Sequence, residues 1–234
     1  LALRAHELLG HWPEVLEHVR QLERRNAIEA SAARVSRVRA LRAMLDGAGD
    51  DAETVRRILD EIPAPEREIE EVALAAVRAL LRAGLHEPAA RIVEQALAKR
   101  YDPELVALWP ELTAIPGRKR IARAEEWLQR WGEESSLLVA LGRLCAAEEL
   151  WGKAEEFLLR AERKSPNPVA QTLLANLCER LERPEDAAHW YREAALTAFG
   201  DEALSLAPKR APQLPEIEEE DDEREPPALP VPGP

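Results

Sequence analysis

Apolar residues in this chain recur at three- and four-residue intervals. Between Glu87 and Arg100 they fall at Ile92, Val93, Ala96 and Leu97, the spacing of one helix face rather than the alternation of a strand. Short turns separate such runs. The segments GHWPE, GLHEP and ERPED place Pro13, Pro88 and Pro184 at the start of a new amphipathic run. Proline suits a first helical turn, because the N–H it lacks would have no partner there. The pattern predicts helices over 1–9, 13–25, 28–46, 51–61, 66–83, 87–100, 104–109, 118–131, 135–148, 152–164, 168–181 and 184–198.

The strongest signal is an internal repeat. Leu141, Cys145, Trp151, Ala154, Leu158 and Ala161 are followed 33 residues later by Leu174, Cys178, Pro184, Ala187, Tyr191 and Ala194. One unit spans 135–167 and a second 168–199. A looser copy starts near Glu70 with Leu80, Ala89, Val93 and Ala96, and His6 to Arg25 reads as the end of another. In the first unit Gly142 and Ala154 are small where two helices must cross closely, and Leu141, Cys145 and Leu158 fill the space around them. Period and pattern predict an all-α fold, an α-solenoid of tetratricopeptide-like helix-turn-helix repeats.

Composition supports helices. Of 234 residues only 6 are Trp, 2 Tyr and 2 Phe, and Ala, Leu, Arg and Glu dominate, residues that lose little entropy in a helix. A formal charge of −12 argues against nucleic acid as a partner, since phosphate binding needs a basic surface. Cys145 and Cys178 are too few for a disulfide framework or a four-ligand zinc site, and fit a reducing compartment. The longest apolar run, Val72 to Val77, is far short of the roughly 18 residues that cross a bilayer. The sequence opens with Leu1 in what reads as mid-helix, so it is expected to be a fragment.

Residues 207–234 separate from 1–206. Eight of the 18 prolines lie there, and eight acids surround Arg224 between Glu216 and Glu225. Such a segment buries too little apolar area to offset its ordering entropy, so a disordered, acidic, proline-rich tail is expected, solvating or docking on a basic partner. Its acids against Lys209, Arg210 and Arg224 leave −5 there, so residues 1–206 carry −7 of the chain's −12.

Catalytic chemistry is not legible. His6-Glu7-Leu8-Leu9-Gly10-His11 mimics a zincin helix, but its histidines are five apart, about 140° round a helix, and Gly10 ends it. The histidines at 6, 11, 18, 86 and 189 read as scattered, with no metal site. Cys145 and Cys178 hold matching repeat positions that point to the core. Trp127, Trp131 and Trp151 cluster near the repeat start, as core or as a stacking surface. If the first helix of each unit lines a groove, Val139, Arg143 and Ala146, then Thr172, Asn176 and Glu179, face it, with Arg180 adjacent. Arg143, Asn176 and Arg180 are the candidate partner-binding residues, suited to an extended peptide or its carboxylate.

Three segments carry a resemblance: ALAKRYDPEL at 96–105, LLVALGRLCAAEELWGKAEEFLLRAERKSP at 137–166 and LLANLCERLERPEDAAHWYREAAL at 173–196, with LALRAHELLGHWPEVLEHVRQL upstream. In that order they resemble the C-terminal region of the HemY family of proteobacterial tetratricopeptide proteins. The resemblance covers most of 1–198 and is tight over 96–198; the tail extends beyond it. It implies a bacterial inner-membrane protein, anchored by an N-terminal segment missing here, with this fragment a soluble extramembrane domain. It further implies a non-catalytic scaffold for late haem synthesis, with haem-biosynthetic enzymes as protein partners and haem or a porphyrin as a possible ligand. The alternative is an adaptor in another envelope process, such as regulation of lipopolysaccharide synthesis.

Overall fold

Five helix ends in this chain close by one repeated device. Gly10, Asn26, Gly84, Glu149 and Glu182 all adopt positive φ, between 50° and 72°. In each case the following N–H bonds back to the carbonyl five residues earlier. The pairs are His11 to His6, Ala27 to Leu22, Leu85 to Leu80, Leu150 to Cys145 and Arg183 to Cys178, at 2.8–3.0 Å. This left-handed closure satisfies carbonyls that the helix end would orphan. It turns the chain sharply into the next helix, so successive helices lie side by side.

The computed structural model describes residues 2–200. Among them are thirteen α-helices: α1 (Ala2–Leu9), α2 (Trp12–Arg24), α3 (Ala30–Gly47), α4 (Ala52–Glu61), α5 (Ala64–Arg67), α6 (Glu70–Arg82), α7 (His86–Lys99), α8 (Pro103–Leu108), α9 (Gly117–Trp131), α10 (Ser135–Ala147), α11 (Trp151–Lys164), α12 (Pro168–Arg180) and α13 (Pro184–Phe199). A 3-10 turn, Trp109–Glu111, follows α8. No described residue lies in a strand. The expected tail, 207–234, lies outside the described residues.

Consecutive helices pack as pairs, most extensively α10 with α11 and α12 with α13, then α2 with α3 and α6 with α7. Between pairs, α3 packs on α6, α11 on α12, and both α8 and α9 on α10. The described residues are therefore all-helical, with an order of packing compatible with an α-solenoid. One apolar cluster runs through it, from Val15 and Leu45 past Val77, Leu97 and Trp109 to Leu141 and Leu177. No described helix is long and apolar enough to cross a membrane.

The predicted single helix over 66–83 is two. Arg67 donates Nε to the carbonyl of Ile62 at 2.7 Å and Nη2 to that of Asp60 at 3.3 Å, caps for the end of α4. Ile69 is extended, φ −68° and ψ 128°, and α6 begins after it. Capping α4 thus breaks a run whose periodicity is otherwise continuous.

Polar contacts tie helices across pair boundaries. Arg123 bonds Glu94 of α7 at 3.0 Å, Lys153 lies 3.6 Å from Glu125 of α9, and Arg183 bonds Glu155 of α11 at 2.7 Å. These pairs form a row across α7, α9 and α11 to the start of α13. Each is solvent-exposed or nearly so and contributes about 0–1 kcal/mol; packing carries the stability.

Candidate functional site

The 33-residue correspondence has a packing counterpart. Leu141 and Leu174, Cys145 and Cys178, and Ala154 and Ala187 are buried in equivalent places of α10–α11 and α12–α13. Gly142 meets α11 so closely that an added Cβ would lie 2.6 Å from Leu158 and 3.5 Å from the carbonyl of Ala154. At the matching positions of the second pair stand Ala175 and Tyr191, and Tyr191 is 39 % exposed. No described element follows α13 to cover that face.

The three candidate binding residues lie in order along α10 and α12, but each is engaged separately. Arg143, half-buried, donates to the carbonyl of Ala107 at 3.1 Å and lies 3.4 Å from the Glu111 carboxylate. It thus neutralises the end of α8, where a cation suits the helix dipole. Asn176 accepts the Tyr191 hydroxyl at 2.7 Å. Burial raises the Tyr191 phenol pKa, and the Glu179 carboxylate adds to the rise. The Arg180 guanidinium stands 5.9 Å from the Trp151 ring centre, within cation–π range. No hydrogen bond or ion pair among the described residues joins any two of the three.

Val139 does not face a groove. It is 8 % exposed and belongs to the core, because α8 and the 3-10 turn pack against α10. Ala146 is half-buried, and Thr172 and Glu179 are exposed. Thr172 spends its hydroxyl on the Pro168 carbonyl of its own helix, at 2.7 Å.

Of the three tryptophans, Trp127 is buried and Trp131 and Trp151 are half-buried. Trp127 is buried edge-on to Trp109, 4.8 Å between ring centres, and Trp109 donates its indole N–H to the Arg120 carbonyl at 3.0 Å. Trp131 neighbours Tyr101, and Trp151 lies beneath Arg180. The histidines are less scattered than the sequence suggests, since the turn at Gly10 brings His6 within 5.7 Å of His11 and 4.9 Å of His18 between ring centres. Even so, no three His, Cys, Asp or Glu side chains among the described residues could hold a metal ion.

Both cysteines are fully buried and free. Desolvation pushes the Cys145 thiol up to about 11, and raises that of Cys178. Both are protonated at neutral pH, the wrong form for a nucleophile or a metal ligand.

A feature without a sequence signal lies elsewhere. A cleft of about 1080 Å3 opens between α3, α4, α5, α6 and α7, outside the two best-matched repeats. Arg56 of α4 and Arg91 of α7 line both this cleft and an adjoining hollow of about 550 Å3. Its walls come from five helices, two of them short, α4 and α5, and nothing in their periodicity shows it.

No family model matches this chain, and no curated protein matches it.

Proposed function

We propose that this domain is a non-catalytic, tetratricopeptide-like scaffold that binds protein partners. The observation that carries the reading is the equivalent burial, 33 residues apart, of Leu141 and Leu174, Cys145 and Cys178, Ala154 and Ala187. Repetition of packing leaves one extended surface, and such surfaces work by binding. The segment order that resembles the HemY family makes the scaffold part of a membrane-anchored protein of the bacterial inner membrane acting in late haem synthesis. In that reading the anchor belongs to a segment before Leu1, the partners are haem-synthetic enzymes, and a tetrapyrrole is a possible cargo. Arg143, Asn176 and Arg180 supply two charges and an amide for partner contact.

Deleting the gene in its host tests this directly. Porphyrin precursors should accumulate, and the intact protein should restore haem. Normal porphyrin levels would reject the haem role and favour an adaptor in another envelope process. A triple variant, Arg143→Ala with Asn176→Ala and Arg180→Ala, should fold and restore less haem; full restoration would place the binding surface elsewhere.

A further inference from the structure

The last described helix, α13, presents an apolar face that no described element covers. Ala188, Tyr191, Ala195, Ala198 and Phe199 fall within about 100° of one another round its axis. Phe199 is 72 % and Tyr191 39 % exposed, Ala188 and Ala198 are exposed, and Ala195 is half-buried. A sector so continuous and so free of charge belongs against another element.

The repeat offset says what covers it. On α11, the counterpart of α13, this side meets α12: Glu162 accepts the Gln171 side-chain amide at 2.8 Å and the Asn167 N–H at 3.2 Å. Thirty-three residues on, Glu162 becomes Ala195 and Gln171 becomes Leu204. A polar pair that joins two helices is thus replaced by an apolar pair, with both members changed together. Gln171 is 1 % exposed and Ala170 fully buried, and their counterparts Leu204 and Ala203 are apolar residues fit for the same burial.

We propose that residues 201–207, Asp-Glu-Ala-Leu-Ser-Leu-Ala, close this end of the repeat array by packing on α13 as a short copy of the start of α12. Wound as a helix, the segment sets Ala203, Leu204 and Ala207 on one side and Asp201, Glu202 and Ser205 on the other. Asp201 and Glu202 suit the positive N-terminal end, and Pro208 stops a helix there. So short a segment holds no helix alone. The α13 face supplies the packing, and attachment at Gly200 lowers the entropy cost of bringing the segment to it. Its polar outer side then leaves no apolar face on which a second copy could stack, as the end of a repeat array requires. The inference stands on the repeat register and not on a role in haem synthesis.

NMR of the full chain with labelled alanine and leucine methyls tests this. Leu204 should show a nuclear Overhauser effect to the Ala195 methyl, and the amides of Ser205, Leu206 and Ala207 should exchange at least tenfold more slowly than those of residues 218–220. Either Ala195→Glu or Leu204→Gln alone should remove that protection while circular dichroism shows the helices retained. The two together recreate the Glu162–Gln171 pair of the preceding contact and should restore it. Absence of the Leu204–Ala195 contact in the parent chain, or exchange at 205–207 as fast as at 218–220, would overturn the inference. A double variant that exchanges as fast as the single ones would overturn the register on which it stands. Mixing labelled and unlabelled chains separates copies: a Leu204–Ala195 contact found only between molecules, or α13 of one copy against α13 of another, would mean that a second chain covers the face and would reject the proposal.

Discussion

A Cβ on Gly142 would stand 2.6 Å from Cγ of Leu158, so α10 and α11 touch through a hydrogen atom. The contact sets the interhelical distance of the first matched pair. Ala154, fully buried on α11, sits beside it.

Ala154→Leu adds three carbons where none fit and should lower stability by about 1–3 kcal/mol. Gly142→Ala should cost less, because the helix-propensity gain of about 1 kcal/mol offsets part of the crowding. Urea denaturation of both variants checks the order; an Ala154→Leu midpoint equal to that of the parent would refute the packing register.

Glu149 and Glu182 hold φ of 59° and 57°, a conformation that costs an L-residue about 1–2 kcal/mol. Glycine relieves this while adding about 0.4–1 kcal/mol of unfolded-state entropy. Strain relief wins, so Glu149→Gly should raise the thermal midpoint slightly, by about 0.5–1 kcal/mol in stability. A lowered midpoint in calorimetry would mean that these turns are not strained.

The buried thiols should resist Ellman's reagent at pH 8 in the native chain and both react in denaturant. The pH dependence has a definite sign. Raising the folded pKa of Cys145 from 9.0 to about 11 means that the unfolded chain loses its proton first as pH rises. Stability should therefore fall between pH 9 and 11, by roughly 2–3 kcal/mol if nothing else titrates. Cys145→Ala should flatten that slope in denaturation curves taken across the window.

Asp51 caps α4, accepting from the Glu53 N–H at 3.1 Å and the Thr54 hydroxyl at 2.5 Å. The Thr54 bond, then the Glu53 amide, lowers its carboxyl pKa below 3.8. A depressed folded pKa gives stability that is present above the unfolded value and lost as pH falls through the folded one. Thr54→Val should move the Asp51 titration upward in a carboxyl-detected NMR series and leave neighbouring acids in place.

The sequence alone determined the helical class, most helix positions, and the register of the two best-matched pairs. Those depend on local periodicity, proline placement and a fixed 33-residue offset, all carried by consecutive residues. It also marked Cys145 and Cys178 as interior, because helical phase decides which side a residue takes. Tertiary structure decided the rest. Val139 was removed from the groove by α8 and the turn at Trp109, and His6 was brought to His18 by the bend at Gly10. Arg67 broke a continuous helical pattern by capping carbonyls of the preceding helix. The cleft at Arg56 and Arg91 depends on the spacing between α4 and α7, and distance between helices is set by the side chains that meet, not by the period along either one.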